Sequence, residues 1–175
     1  MHPLLQQLSG GDRRSIGEAD RVAARVAGAP ALLAVLFEGL DGDDPVLRMR
    51  CADVIEKATA ARPALLAPWK DALIQRHALV TQAEVRWHVA PLLARLPLTP
   101  AEADAVVARL LSFTQDRSRI VRTMSMQALV DIGLRHRHLL PDIARHIREL
   151  TVTGTPAMKA RGRRLIGILE RASGG

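Results

Sequence analysis

The chain has 175 residues, 48% hydrophobic and 25% charged, a globular composition with enough length for one domain and its core. Only 2% is aromatic, and Ala and Leu dominate, so collagen, a disulfide framework, a disordered chain and an ordinary β-sandwich are excluded. The net charge of +7 is uneven: residues 1–116 hold 13 Lys/Arg against 14 Asp/Glu, whereas 117–175 hold 12 against 4, a net of +8.

Residues 1–12 carry no basic leader and no apolar run of signal-peptide length. No stretch approaches the ~18 apolar residues of a membrane span, so a cytoplasmic protein without membrane contact is expected. Residues 12–28 predict a leading helix, with Ile16, Ala19, Val22, Ala23 and Val26 on one side. Pro30 opens the next helix, which carries Leu32, Leu33, Leu36 and Phe37. A polar turn at 41–45 leads to a helix over 46–60.

The same alternation repeats. Pro68 marks a helix with Trp69, Leu73 and Ile74, followed by a helix over 84–96. Pro100 marks one with Val106, Val107, Leu110 and Leu111, followed by 119–135. Pro141 marks one with Ile143, Ile147 and Leu150, followed by 157–172. Proline is tolerated in a first helical turn because its missing N–H would be unsatisfied there anyway. Thr99 before Pro100, with Glu102 three residues on, is a capping-box pattern.

The second helix of each pair bears an internal repeat. It reads Leu47-Arg48, Cys51, Val54-Ile55, then Val85-Arg86, Val89, Leu92-Leu93. It returns as Val121-Arg122, Ser125, Ala128-Leu129, and as Met158-Lys159, Gly162, Leu165-Ile166. The basic residues stand 38, 36 and 37 positions apart. In each copy the apolar and small positions share one helix face, and the small central residue suits close helix approach.

These features resemble the HEAT-repeat family, on the strength of the Asp43-Asp44-Pro45-Val46-Leu47-Arg48 turn, the Arg48, Arg86 and Arg122 series and the segment Arg119-Ile120-Val121-Arg122. The resemblance covers about residues 30–172, and is narrowest to small bacterial HEAT-repeat proteins of unassigned role. It implies an all-α fold: an α-solenoid of antiparallel helix pairs in a right-handed superhelix. The whole chain, 1–175, would form a single HEAT-repeat domain, with the leading helix at 12–28 and repeats at about 30–62, 63–98, 99–137 and 138–172. One helix pair cannot bury both of its apolar stripes alone, so stacking would supply the core. The second helices would line the concave face.

Asp44, Arg48, Arg86, Asp116, Arg122 and Lys159 are expected as a structural ladder between repeats, as HEAT families commonly use Asp and Arg. The two positions before the small residue point away from the apolar stripe. They hold Met49 and Arg50, Trp87 and His88, and Thr123 and Met124 in the first three copies. A Trp and a Met flanked by Arg and His suggest a partner-binding hot spot. Those six residues are the candidate site of a non-catalytic scaffold that binds a protein partner. The alternative is nucleic-acid or other polyanion binding through Arg161, Arg163, Arg164 and Arg171, with Arg117, Arg119, Arg135 and Arg137 nearby.

No nucleophile motif, phosphate loop or metal-ligand spacing occurs, so no catalytic residue, metal or cofactor is expected. Cys51 stands at a buried small position, where its thiol would be quiet. The resemblance admits a remote enzymatic alternative, the HEAT-like DNA glycosylases, for which Trp87 and Asp53 would be the nearest aromatic and carboxylate. A monomer is expected.

Overall fold

The computed structural model describes residues 1–11 and 17–173. Ten α-helices and four short 3₁₀ segments occur among the described residues, and no strand. The chain divides into two compact units, Met1–Val89 and Ala90–Gly175.

The first unit opens with α1 (Pro3–Leu8) and α2 (Ala19–Gly28). Helix α1 lies before the first helix that the sequence predicts. The helix is short but buries Leu4, Leu5 and Leu8, and the His2 imidazole accepts a hydrogen bond from Leu4 N–H at its start. The leading helix expected over 12–28 is realised as α2. The expected contribution of Ile16 lies outside the described residues, while Ala19, Val22, Ala23 and Val26 are all buried.

Pro30 begins a 3₁₀ turn that passes into α3 (Leu33–Leu40), and Asp44 caps α4 (Pro45–Thr59) through a 2.8 Å bond from Val46 N–H. Pro68 does not open a helix. It lies inside a 3₁₀ stretch, Pro63–Trp69, and only then does α5 (Lys70–Gln75) begin. A proline beyond the first turn lacks the donor that α-helical bonding requires. Trp69 stacks on Phe37, with ring centroids 4.2 Å apart and planes 12° from parallel.

Helix α6 (Ala83–Arg95) follows, and then α7 (Pro100–Phe113) and α8 (Arg119–Arg135). The capping box at Thr99 forms in full: its hydroxyl accepts from Glu102 N–H, and the Glu102 carboxylate accepts from Thr99 N–H. The chain ends in α9 (Leu140–Thr153), with Pro141 at its second position, and α10 (Pro156–Ser173).

In the first unit α4 packs against α1, α2 and α3. In the second, α8 packs against α7, α9 and α10, and α9 against α10. The repeat accounts for these cores. Leu47, Cys51, Val54 and Ile55 are buried, as are Val85, Val89, Leu92 and Leu93. So are Val121, Ser125, Ala128 and Leu129, and Met158, Gly162 and Leu165, while Ile166 is partly exposed. At Gly162 α10 lies tight against α9: a Cβ there would stand 2.9 Å from Thr151 Cβ. No helix is long and apolar enough to cross a membrane among the described residues.

Candidate functional site

The ladder residues take two different jobs. Arg86 Nε donates to Val80 O at 2.7 Å, and Arg122 Nε donates to Asp116 O, so each ties down the loop before its own helix. Arg48 instead reaches the loop before α6. Its Nε donates to Gln82 Oε1 at 3.1 Å, and Gln82 Nε2 donates to Pro45 O at 2.7 Å. Asp44 and Asp116 serve as caps of local backbone, Asp116 through Ser118 N–H at 2.8 Å. Lys159 is half-buried on α10.

The expected hot spot is not one exposed row. Met49 and Arg50 are buried, 5% and 4% exposed, and the expectation that they present a surface is corrected. Arg50 is covered by the chain's own N-terminal segment. Arg50 Nη1 donates to Leu8 O at 2.9 Å and to Gly10 O at 2.6 Å. Its guanidinium also lies close to Gly11 and Gly17, both at positive φ, 74° and 54°: a Cβ on them would stand 3.1 and 3.2 Å from it. A helical wheel drawn on α4 alone cannot show that another segment folds over the face opposite the stripe.

Trp87 and His88 are half-buried in the first unit, with rings edge-on at 5.9 Å. His88 Nδ1 lies 2.7 Å from Glu56 Oε2, and its Nε2 4.0 Å from Asp53 Oδ1. Lys57 continues the chain of charges, 2.8 Å from Asp53 and 2.6 Å from Asp20. Burial works to lower the Lys57 ammonium's pKa, but hydrogen bonds to Asp20 and Asp53 outweigh it and hold that pKa raised. Of this cluster only the i, i+4 pair Asp53–Lys57 had a sequence signal. Each member bonds another, so the cluster reads as cross-links among α2, α4 and α6.

Thr123 and Met124 belong to the second unit and are half-buried there. The Thr123 hydroxyl donates to the carbonyls of Arg119 and Ile120, both at 3.1 Å. Cys51 is fully buried, and burial with nearby Asp44 pushes its thiol pKa up to about 12, far from nucleophilic. No group of three His, Cys, Asp or Glu side chains is placed to hold a metal ion among the described residues.

The basic residues have a sharper geometry. The first unit carries 11 Lys/Arg and 11 Asp/Glu; the second carries 14 and 7, so the whole net charge of +7 belongs to the second. Several cations of the first unit are engaged: Arg21 with Glu18, Arg76 with Asp41, Lys57 with two aspartates, and Arg48, Arg50 and Arg86 as above. In the second unit Arg163, Arg164 and Arg171 are exposed and make no hydrogen bond or ion pair with the described residues. Nor do the side chains of Arg117 and Arg119, both exposed.

The four arginines of α10 do not form one patch. Successive residues turn by about 100°, which puts Arg161, Arg164 and Arg171 on one flank and Arg163 away from them. The flank of Arg161 and Arg164 meets α8 at a cleft of about 270 Å³, lined by Thr123, Ala157, Ala160, Arg161 and Arg164. Arg161 is held there by a 3.1 Å bond from Nη1 to Gln127 Oε1, and Gln127 Nε2 donates at 2.9 Å to Asp131. Arginine counting revealed the charge, but the gathering of Thr123, Gln127, Arg161 and Arg164 needs the packing of α8 on α10, which no single helix encodes. No protein-family model, no curated protein and no solved structure matches the chain significantly.

Proposed function

We propose that the protein is a non-catalytic binding protein whose second unit holds a polyanionic partner on the α8/α10 side. The observation that carries this reading is the α10 flank at the α8/α10 cleft, where Arg161 is held by Gln127 and Arg164 and Arg171 are unpaired with the described residues, in the unit that holds all of the net charge. Guanidinium groups that find no partner within a fold are available to phosphates or carboxylates outside it, and Arg forks match both in geometry. Helix contacts of the kind α2 with α4 and α8 with α10 support the HEAT-type stack that the repeat implies. The test is retention on immobilised heparin together with a gel shift on mixed nucleic acid at ~50 and ~200 mM salt. Retention at the lower salt that weakens steeply at the higher is expected. No retention and no shift at either salt would remove the reading.

A second reading, a protein partner at Trp87, is favoured by one observation. Phe37 and Phe113 lie in the core and the half-buried Trp69 stacks on Phe37, whereas the half-buried Trp87 meets only the edge of His88 among the described aromatic rings. Partly exposed tryptophans are common anchors of protein interfaces. Trp87→Ala should abolish capture of such a partner while leaving the thermal midpoint near wild type. A collapse of the midpoint would show Trp87 to be a core residue instead.

A further inference from the structure

We infer that the cleft between α8 and α10 seats a backbone phosphate of duplex nucleic acid, with Arg161 and Arg164 as its ligands. The inference rests on the polyanion reading and narrows it to one class of partner and one seat.

The cleft has the chemistry of such a seat. Two guanidinium groups flank a floor of Ala157, Ala160 and Thr123, small enough for a phosphate to approach closely. Arg161 is already oriented by Gln127, so little side-chain freedom is lost when it engages a ligand. Gln127 also keeps the only carboxylate of that relay, Asp131, one side chain removed from the guanidinium. Arg161 is therefore held without being neutralised by an ion pair. Arg164 makes no bond to the described residues, and Arg171 continues the same flank. Arg161 to Arg171 spans ten residues, about 15 Å of helix, a length that faces several successive phosphates of one strand.

The choice among polyanions follows from what accompanies the charge. Single-strand binders add aromatic platforms on which bases stack. The second unit has one aromatic side chain of the Phe, Trp or Tyr type, Phe113, and it is 1% exposed. A helix that docks on an anionic membrane inserts an apolar face beneath its cations. On α10 that face is Met158, Leu165 and Leu169, all buried against the fold. An arginine fork matches a carboxylate as well as a phosphate, so an acidic peptide is the alternative that the polyglutamate arm of the test below separates from a duplex. Contact to backbone without stacking is the binding mode of a duplex read without regard to sequence.

The test is fluorescence anisotropy of the full chain against a labelled duplex of about 20 base pairs across a salt series. The same-length single strand, polyglutamate and phosphatidylserine vesicles run in parallel. Wild type should bind the duplex at least as tightly as the single strand. Arg161→Ala with Arg164→Ala should cut duplex affinity at least tenfold at ~50 mM salt and make the salt slope shallower by about 0.9, since the one phosphate that both arginines hold is lost. Arg148→Ala, an exposed cation on α9, should change neither. Both sets lie outside the core, and an unchanged far-UV circular dichroism spectrum reports an intact fold. Duplex binding untouched by the double variant overturns the cleft as the seat but leaves the polyanion reading standing. Binding to single strand, polyglutamate or vesicles in preference to duplex overturns the duplex assignment alone. No binding to any of the four overturns both.

Discussion

Arg50 shows how one side chain changes role once its neighbours are known. In sequence it is an arginine opposite an apolar stripe; in the fold it is 4% exposed and bonded to two carbonyls of the N-terminal segment. Removing it would strand those acceptors, and hydrogen bonds to charged groups contribute about 1.5–3 kcal/mol. Arg50→Ala should therefore lower the urea unfolding free energy by about 2–3 kcal/mol while leaving polyanion affinity unchanged. His77 makes a second residue-scale prediction. It is 1% exposed, its Nε2 has no hydrogen-bond partner among the described residues, and Asp41 Oδ1 stands 3.7 Å away. Burial holds its pKa below the ordinary histidine value; Arg76 adds to this, and Asp41 opposes it. The unfolded chain thus binds the proton more readily than the folded one, so stability rises with pH and is lost as pH falls through about 6.5 and below. The slope is at most about 1.4 kcal/mol per pH unit for one proton. Wild type should lose more of its thermal midpoint between pH 7.5 and 5.5 than His77→Leu does. Equal losses would show that the buried imidazole carries none of the acid sensitivity.

At the scale of helices, the small position of the repeat is a spacing device. Its four occupants, Cys51, Val89, Ser125 and Gly162, are all buried, and Gly162 has no room for a Cβ beside Thr151. Gly162→Ala would place a methyl group 2.9 Å from Thr151 Cβ, so α9 and α10 must separate, at a cost of about 1–3 kcal/mol. Urea denaturation should show this loss, and Thr151→Ala added to Gly162→Ala should recover part of it; no recovery would put the strain elsewhere. This was legible in sequence, because the spacing of Met158, Gly162 and Leu165 states both the buried face and the need for a small residue. The capping box at Thr99 was legible for the same reason: its two partners lie three residues apart. Helix α1 was not, since six residues carry too little periodicity to announce a helix. The 3₁₀ stretch around Pro68 was missed because Pro68 resembles its counterparts at 100 and 141, and only the bonding of its neighbours distinguishes them.

For the molecule as a whole, the sequence located the basicity in the last third, and the fold assigns it more sharply. A neutral first unit pairs many of its charges internally, and a second unit of net +7 leaves several arginines unpaired. The candidate surface was half legible. The exposed side of α10 could be read from its wheel, but the cleft with α8 and the loss of Met49 and Arg50 from the surface could not, because both depend on packing between segments distant in sequence. The most direct test of the account is amide hydrogen exchange of the full chain with and without saturating duplex DNA at low salt. Slowed exchange concentrated in peptides covering 119–127 and 156–171 is predicted. Slowed exchange confined to peptides covering 45–89, where Trp87 and His88 lie, would contradict it.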